Sequence, residues 1–297
     1  MLEGQGLDPD TAEAEVRAVT SSPVFAAARK VVHRSAAMEQ AARLRRHFEG
    51  QHPLEVPAGA GLDDDAFHRL CWTAHRPIVL RGAASDWPVW SLEGLERRFG
   101  DVEIEVLAGR TRQPRWWTRR EALRTRMPLR ELLDVMAGPG GDDVYGVGRN
   151  DVLDALPELR SEIGTLPGLT PEASWARLWI GPAGTVTPLH HDQSAAWLVQ
   201  RIGWKRVWLA SPLEPALFDG LDGVFSPVDP SVPAQGELAD VRWWEARLGP
   251  GDAVFLPAGW WHRVVSETAS VSVSLGNFRW PNNVEWYAPG RFAPGRL

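Results

Sequence analysis

The chain has 297 residues, 44% hydrophobic and 24% charged, with a net charge of -6, which is enough for one large β-domain with added helices or for two modest domains. The acidic balance argues against a nucleic-acid or anionic-membrane binder, and no run approaches the length of a membrane span. Cys71 is the single cysteine, so no intramolecular disulfide can form, and the opening MLEGQGLDPDTAEAEV lacks the apolar core of a secretory signal; a cytoplasmic protein is expected.

Residues 1–60 read as an N-terminal helical segment. In SAAMEQAARLRRHFEG, Ser35 reads as the N-cap and Gly50 as the stop, with Met38, Ala41, Leu44 and Phe48 along one face. Its arginines, Arg43, Arg45 and Arg46, read as a solvated face rather than a dock for an acidic partner. A second domain, 61–297, begins with a short strand at Ile78–Leu80, stopped by Gly82 and the turn at Asp86-Trp87-Pro88. SLEGLERRFG then reads as a helix ended by Gly100, followed by a strand alternating through Val102, Ile104 and Val106. MPLRELLDVMAGPGG reads as another helix, broken by its glycines. The basic, Trp-bearing run 110–130 reads as a solvated surface by default, or as the lining of a substrate groove.

From Trp175 the pattern changes to short β-branched or aromatic segments bounded by Gly, Pro, Ser or Asp, the spacing of an all-β sandwich or barrel. Residues 210–242, rich in Pro, Asp and Gly, read as a long insertion that could border a site. The 16 tryptophans serve either as core filler or as the walls of an aromatic cleft. In the pair Trp260-Trp261, strand alternation turns neighbours to opposite sides, so at least one is expected in the core.

After His75 the only histidines are His190, His191 and His262. In an extended segment residues i and i+2 share a face, so His190 and Asp192 can converge while His191 points elsewhere. With His262 in LPAGWWHRVV, the set becomes two imidazoles and a carboxylate, the facial set of non-haem Fe(II) oxygenases. The same set also suits zinc hydrolysis, and a histidine beside two tryptophans is often only a packed residue. In GWKRVWLAS, Lys205 shares a face with Val207 and Leu209, costly without an anionic partner unless it snorkels to the edge. Thr187, three residues before His190, can bond the same anion. Asn277 ends a strand whose alternate face is Val271-Val273-Leu275, so its amide is expected to point inward.

The segments WIGPAGTVTPLHHDQSAAWLVQRIGWKRVWLASP and GDAVFLPAGWWHRVVSETASVSVSLGNF together closely resemble the JmjC-type, cupin-like Fe(II)/2-oxoglutarate-dependent hydroxylases, most of all the protein- and peptide-hydroxylating branch. The likeness extends over about residues 75–281, taking in RPIVLRGAASDWPVW and LERRFGDVEIEVL. It implies a mainly β fold with flanking helices, a double-stranded β-helix (cupin/JmjC jelly roll) with its core at about 175–280. It implies Fe(II) on His190, Asp192 and His262, with 2-oxoglutarate and O2 as cosubstrates. By the same resemblance Lys205, Thr187 and Tyr145 meet the distal carboxylate of 2-oxoglutarate, and Asn277 lies near its metal-bound end. Ala196 departs from the pattern, standing where the asparaginyl hydroxylases often carry a second asparagine. The implied substrate is a protein or peptide side chain; a small molecule under the same chemistry, or a non-catalytic metal-binding protein, are the alternatives. No nucleic-acid or membrane partner is expected, and homodimerisation, which occurs in the family, is a further expectation.

Overall fold

Asp8 starts the first helix by accepting from the backbone N–H groups of Asp10 and Thr11, with Pro9 at the first helical position where its missing N–H costs nothing. In this computed structural model, which describes residues 8–49, 55–56, 61–147, 151–171, 175–282 and 284, the backbone divides into two compact units. One unit, Met1–His52 with Leu213–Pro215, contains α1 (Pro9–Ser21) and α2 (Pro23–Glu49). The helix expected to begin at Ser35 instead runs back to Pro23, because nothing in the Ala-rich stretch from 26 to 37 breaks it, and the Ser22 hydroxyl caps it by accepting from Phe25 N–H. Its expected apolar face is not buried: Met38, Leu44 and Phe48 are exposed, whereas Ala42 is covered. Gly50, the expected stop, lies outside the described residues.

The second unit, Pro53–Pro212 with Ala216–Leu297, opens with β1 (Glu55–Val56), so residues 55–56 are strand rather than helix, then α3 (Asp64–Phe67) and β2 (Ile78–Leu80). There follow α4 (Leu92–Phe99), β3 (Glu103–Leu107), α5 (Arg120–Leu123), β4 (Arg124–Pro128), α6 (Leu129–Ala137), α7 (Val152–Ala155) and α8 (Pro157–Ser161). Met127 and Pro128, expected at the head of a helix, instead close β4, where the alternating RTRM run pairs antiparallel with β3. The β-core comprises β5 (Ala176–Gly181), β6 (Val186–His190), β7 (Ala196–Ile202), β8 (Lys205–Ala210), β9 (Trp244–Leu248), β10 (Ala253–Leu256), β11 (Trp261–Ser266) and β12 (Ser270–Leu275).

Successive core strands switch sheets, except that β8 and β9 pair within one sheet. A six-stranded sheet has the order β1-β2-β10-β7-β12-β5, and a four-stranded sheet the order β6-β11-β8-β9. This back-and-forth wrapping with flanking helices is the expected jelly roll. Strand alternation sorts the side chains. Leu178, Ile180, Trp197, Val199, Phe255, Val271 and Val273 turn to the helices, packing with Leu95, Leu132 and Leu153. Leu198, Val254 and Leu256 turn the other way and meet Val207, Leu209, Leu248 and Val264 of the second sheet. Trp197, Trp260 and Trp261 are among the largest fully buried side chains, so both members of the 260–261 pair are core.

Gly203 makes the corner between β7 and β8. Its φ is +73°, and an added Cβ would lie 2.1 Å from the Ala269 carbonyl oxygen. Gly203→Ala is therefore expected to cost more than about 1 kcal/mol of stability, read as a lowered urea midpoint at unchanged m-value.

Candidate functional site

Antiparallel pairing of β11 with β6 sets His262 directly opposite His190, and the two imidazole centroids lie 4.1 Å apart. In each ring Nδ1 faces a carbonyl oxygen, Pro188 O at 2.8 Å from His190 and Trp260 O at 2.9 Å from His262. A carbonyl only accepts, so Nδ1 must carry the hydrogen, and Nε2 is turned to the site. Asp192 follows β6 in a loop whose backbone is tied to the β10–β11 turn, Gly259 N–H donating to Asp192 O at 2.7 Å. Its Oδ2 lies 3.7 Å from His262 Nε2, and ligand atoms of His190, Asp192 and His262 all fall within 4.8 Å of one another. Two imidazole nitrogens and a carboxylate, gathered this closely with their outer nitrogens already committed, fit a divalent transition metal. The Asp192 side chain is 56% exposed while both imidazoles are buried, leaving the triad open on the carboxylate side.

Burial and the neighbouring His262 push the His190 imidazole below its ordinary pKa, against the opposing pull of Asp192. For Asp192, desolvation pushes the carboxyl up, but His190, His262 and His191 outweigh it and hold it below the usual carboxylate range. His191 takes the other face. Its ring is fully buried edge-on to Trp261, with centroids 4.6 Å apart, and burial lowers its pKa to about 4.

Further along the same face the lining changes character. Lys205 pairs with Ser266, and His262 with Leu209, so Lys205 lies on the inward face four residues from the His262 level, about 13 Å away along the strands. The ammonium is buried, and among the described residues its one hydrogen bond is donated to Tyr145 Oη at 3.1 Å. No carboxylate among the described residues pairs with it. Thr187 joins this face by an irregularity: three residues of β6, from Thr187 to His190, span only two of β11, from Val264 to His262. Strict alternation would turn Thr187 and His190 to opposite faces; the extra residue turns both inward.

Asn277 follows the end of β12. The apolar face Val271-Val273-Leu275 packs toward the helices, not into the space between the sheets, where Ser270, Ser272 and Ser274 point instead. The Asn277 Nδ2 donates to the carbonyl and hydroxyl of Thr170, tying the end of β12 to the 166–170 turn.

Residues 64–283 match the family model described as a cupin-like domain. The chain belongs to the cupin-like, JmjC-type family. It is 27% identical over 231 residues to Jumonji C domain-containing protein 5 of Drosophila melanogaster, covering 71% of this chain and 57% of that protein. It is 28% identical over 215 residues to Lysine-specific demethylase 8 of Xenopus tropicalis (67% and 47% covered). It is 27% identical over 249 residues to tRNA wybutosine-synthesizing protein 5 of Homo sapiens (76% and 78% covered). The chain thus spans about half the length of the first two relatives.

In this cupin-like domain the insertion between β8 and β9 reaches the triad. Phe225 forms an antiparallel bridge with His190 and stacks on its ring, centroids 5.3 Å apart at 22°. The basic run contributes Trp117, stacked on Phe225 at 5.5 Å, and Arg120, whose charge acts on both His190 and Asp192. Neither residue stands out in sequence, where both segments are only candidate borders; Gly223, suited to the first central position of a tight hairpin turn, is a weak local signal. Tyr145→Phe removes the acceptor of the buried ammonium, so the ligand-free protein is expected to lose about 1–3 kcal/mol of stability in urea unfolding.

Proposed function

We propose that this cupin-like domain is an Fe(II)/2-oxoglutarate-dependent oxygenase that hydroxylates a C–H bond of a protein or peptide side chain. The observation that carries the proposal is the Lys205 ammonium, buried with a phenol rather than a carboxylate for company, on the sheet face that also bears both imidazoles. Burying an unpaired charge costs several kcal/mol, and a dicarboxylate reaching from the metal toward Lys205 offsets that cost. A zinc hydrolase gives Lys205 no partner. A purely structural metal would favour a closed coordination shell, whereas the Asp192 side of the triad is open.

In this proposal His190, Asp192 and His262 hold the iron, while Lys205, Tyr145 and Thr187 receive the distal carboxylate. Asn277 anchors the turn to Thr170 through its Nδ2. When bound with 2-oxoglutarate and O2, the iron supplies the oxidation that turns a C–H into a C–OH, with succinate and CO2 released. The chain's own part is positional. The Nδ1–carbonyl bonds aim both Nε2 atoms, and the apolar wall of Val207, Leu209, Leu256 and Val264 keeps water from the interior.

The relatives' names point to protein lysine or arginine residues and to tRNA. A protein substrate is favoured here because five of the eight arginines of the basic run already pair with carboxylates. Arg110, Arg115, Arg124, Arg126 and Arg130 form ion pairs with Asp142, Asp222, Glu105, Asp151 and Asp101 respectively, so they do not make a cationic track for phosphates. A small-molecule substrate uses the same site and is separated from the peptide by the substrate panel itself. With iron-loaded protein, succinate formation is expected to rise with one member of a panel of peptides, small metabolites and tRNA; turnover confined to tRNA would overturn the protein assignment.

Two variant series test the residue roles. Lys205→Ala is expected to weaken 2-oxoglutarate binding by about 100-fold, as removal of one partner of a buried charge pair does, with metal affinity unchanged. His190→Ala and His262→Ala should each abolish tight metal binding in a chelator competition, whereas His191→Phe, altering the ring buried on the opposite face against Trp261, should retain it.

A further inference from the structure

The insertion between β8 and β9 does more than border the triad. Asp222 and Phe225 close a two-residue turn, exchanging both backbone hydrogen bonds at 2.9 and 3.1 Å. Gly223 holds the left-handed position of that turn at φ +65°. The chain then runs beside β6 as an added edge strand, Ser226 N–H donating to Leu189 O at 2.9 Å and His191 N–H to Val224 O at 3.2 Å. This pairing puts the Phe225 ring flat on His190. Trp117 covers Phe225, stacked at 27°, so three rings form one pile ending on a proposed metal ligand.

One carboxylate oxygen holds the top of that pile. Asp222 Oδ2 accepts from Trp117 Nε1 at 3.0 Å, and from Arg115 Nε and Nη2 at 2.9 and 2.6 Å. Arg115 is largely exposed, and exposed ion pairs contribute little. The indole bond is the one that counts: it is charge-assisted, and it fixes the plane of Trp117 and hence of Phe225.

Resting on the metal reading above, we infer that Asp222 is a positioning residue for His190. Through Trp117 and Phe225 it fixes the ring plane from the face, while Pro188 O fixes it at Nδ1. The His262 ring is held at Nδ1 by Trp260 O. Outer partners of this kind typically contribute about 10- to 100-fold to metal affinity.

The test is Co(II) titration against a chelating dye, together with the visible ligand-field spectrum, on the full chain. Asp222→Ala is expected to weaken Co(II) about 10-fold and shift the band, while Asp222→Asn, which keeps an acceptor oxygen, recovers most of the loss. Trp117→Phe keeps a ring but loses the N–H, and should reproduce Asp222→Ala; the double variant should add nothing further. Should Asp222→Ala unfold, Trp117→Phe carries the test alone. Asp229→Asn, in the same insertion but paired with Arg263, should behave as wild type. Wild-type affinity and spectrum in both Asp222→Ala and Trp117→Phe, or fully additive losses in the double variant, would overturn the inference. Failure of the wild type itself to bind Co(II) would instead overturn the metal reading, and this inference with it.

Discussion

The pairing of β6 with β11 is the constraint from which the site takes its shape. It sets one imidazole against the other, and a slip of a single residue would send one of them to the outer face. The register is held at both ends. At one end Ser266 N–H donates to Thr185 O at 2.9 Å and Gly184 N–H to Ser266 O at 2.8 Å; at the other, Gly259 N–H ties the Asp192 loop to the next turn at 2.7 Å. Between these ties sits the extra residue of β6, which brings Thr187 to the same face as His190. A bulge in a strand that carries functional side chains re-aims them without altering the fold around it.

The space between the sheets is polar at one end and apolar at the other. Ser270, Ser272 and Ser274 alternate with valines on β12, and each hydroxyl has a partner: Ser266, Gln200 and the Trp179 indole N–H. Such a ladder is close to neutral for stability, because each buried hydroxyl exchanges a water bond for a protein bond. Lys205 is different. A phenol satisfies one of three ammonium donors and none of the charge, so this position is less stable than an apolar one would be. A fold that keeps a destabilising group on its inner wall, in line with a cluster of side chains that could hold a metal, is consistent with selection for binding rather than for packing.

Much of this arrangement was legible in the sequence, and the illegible parts have a common cause. Period-two alternation with glycine and proline punctuation marks the core strands, and i, i+2 spacing separates His190 and Asp192 from His191. These are local properties. Reading Ser35 as a cap failed because a good cap residue inside an unbroken helix-forming run is simply carried along. At Asn277 alternation alone cannot tell the helix-covered face from the one between the sheets, because both faces of β12 are buried. The Trp117–Phe225–His190 pile joins three segments distant in the chain, and nothing local marks any of them as partners. Tyr145, reached only through resemblance, meets Lys205 across 60 residues by the same kind of long-range contact.

The triad carries its own argument for a cation. With Nδ1 of both rings donating to carbonyls, the atoms left facing inward are two imidazole nitrogens and a carboxylate, gathered within 4.8 Å. Burial and the second imidazole disfavour a further proton on His190, so its Nε2 presents a lone pair. A lone pair and an anionic oxygen turned toward a common point repel unless something positive sits between them. His262 Nε2 and Asp192 Oδ2, 3.7 Å apart, are too far from each other for a hydrogen bond. Ligand edges around a first-row divalent ion, with bonds of about 2.0–2.2 Å, are shorter than that but within reach of small side-chain rotations. The backbone register therefore brings the donors nearly to coordination distance before any ion arrives, and a cation removes the repulsion that this convergence creates.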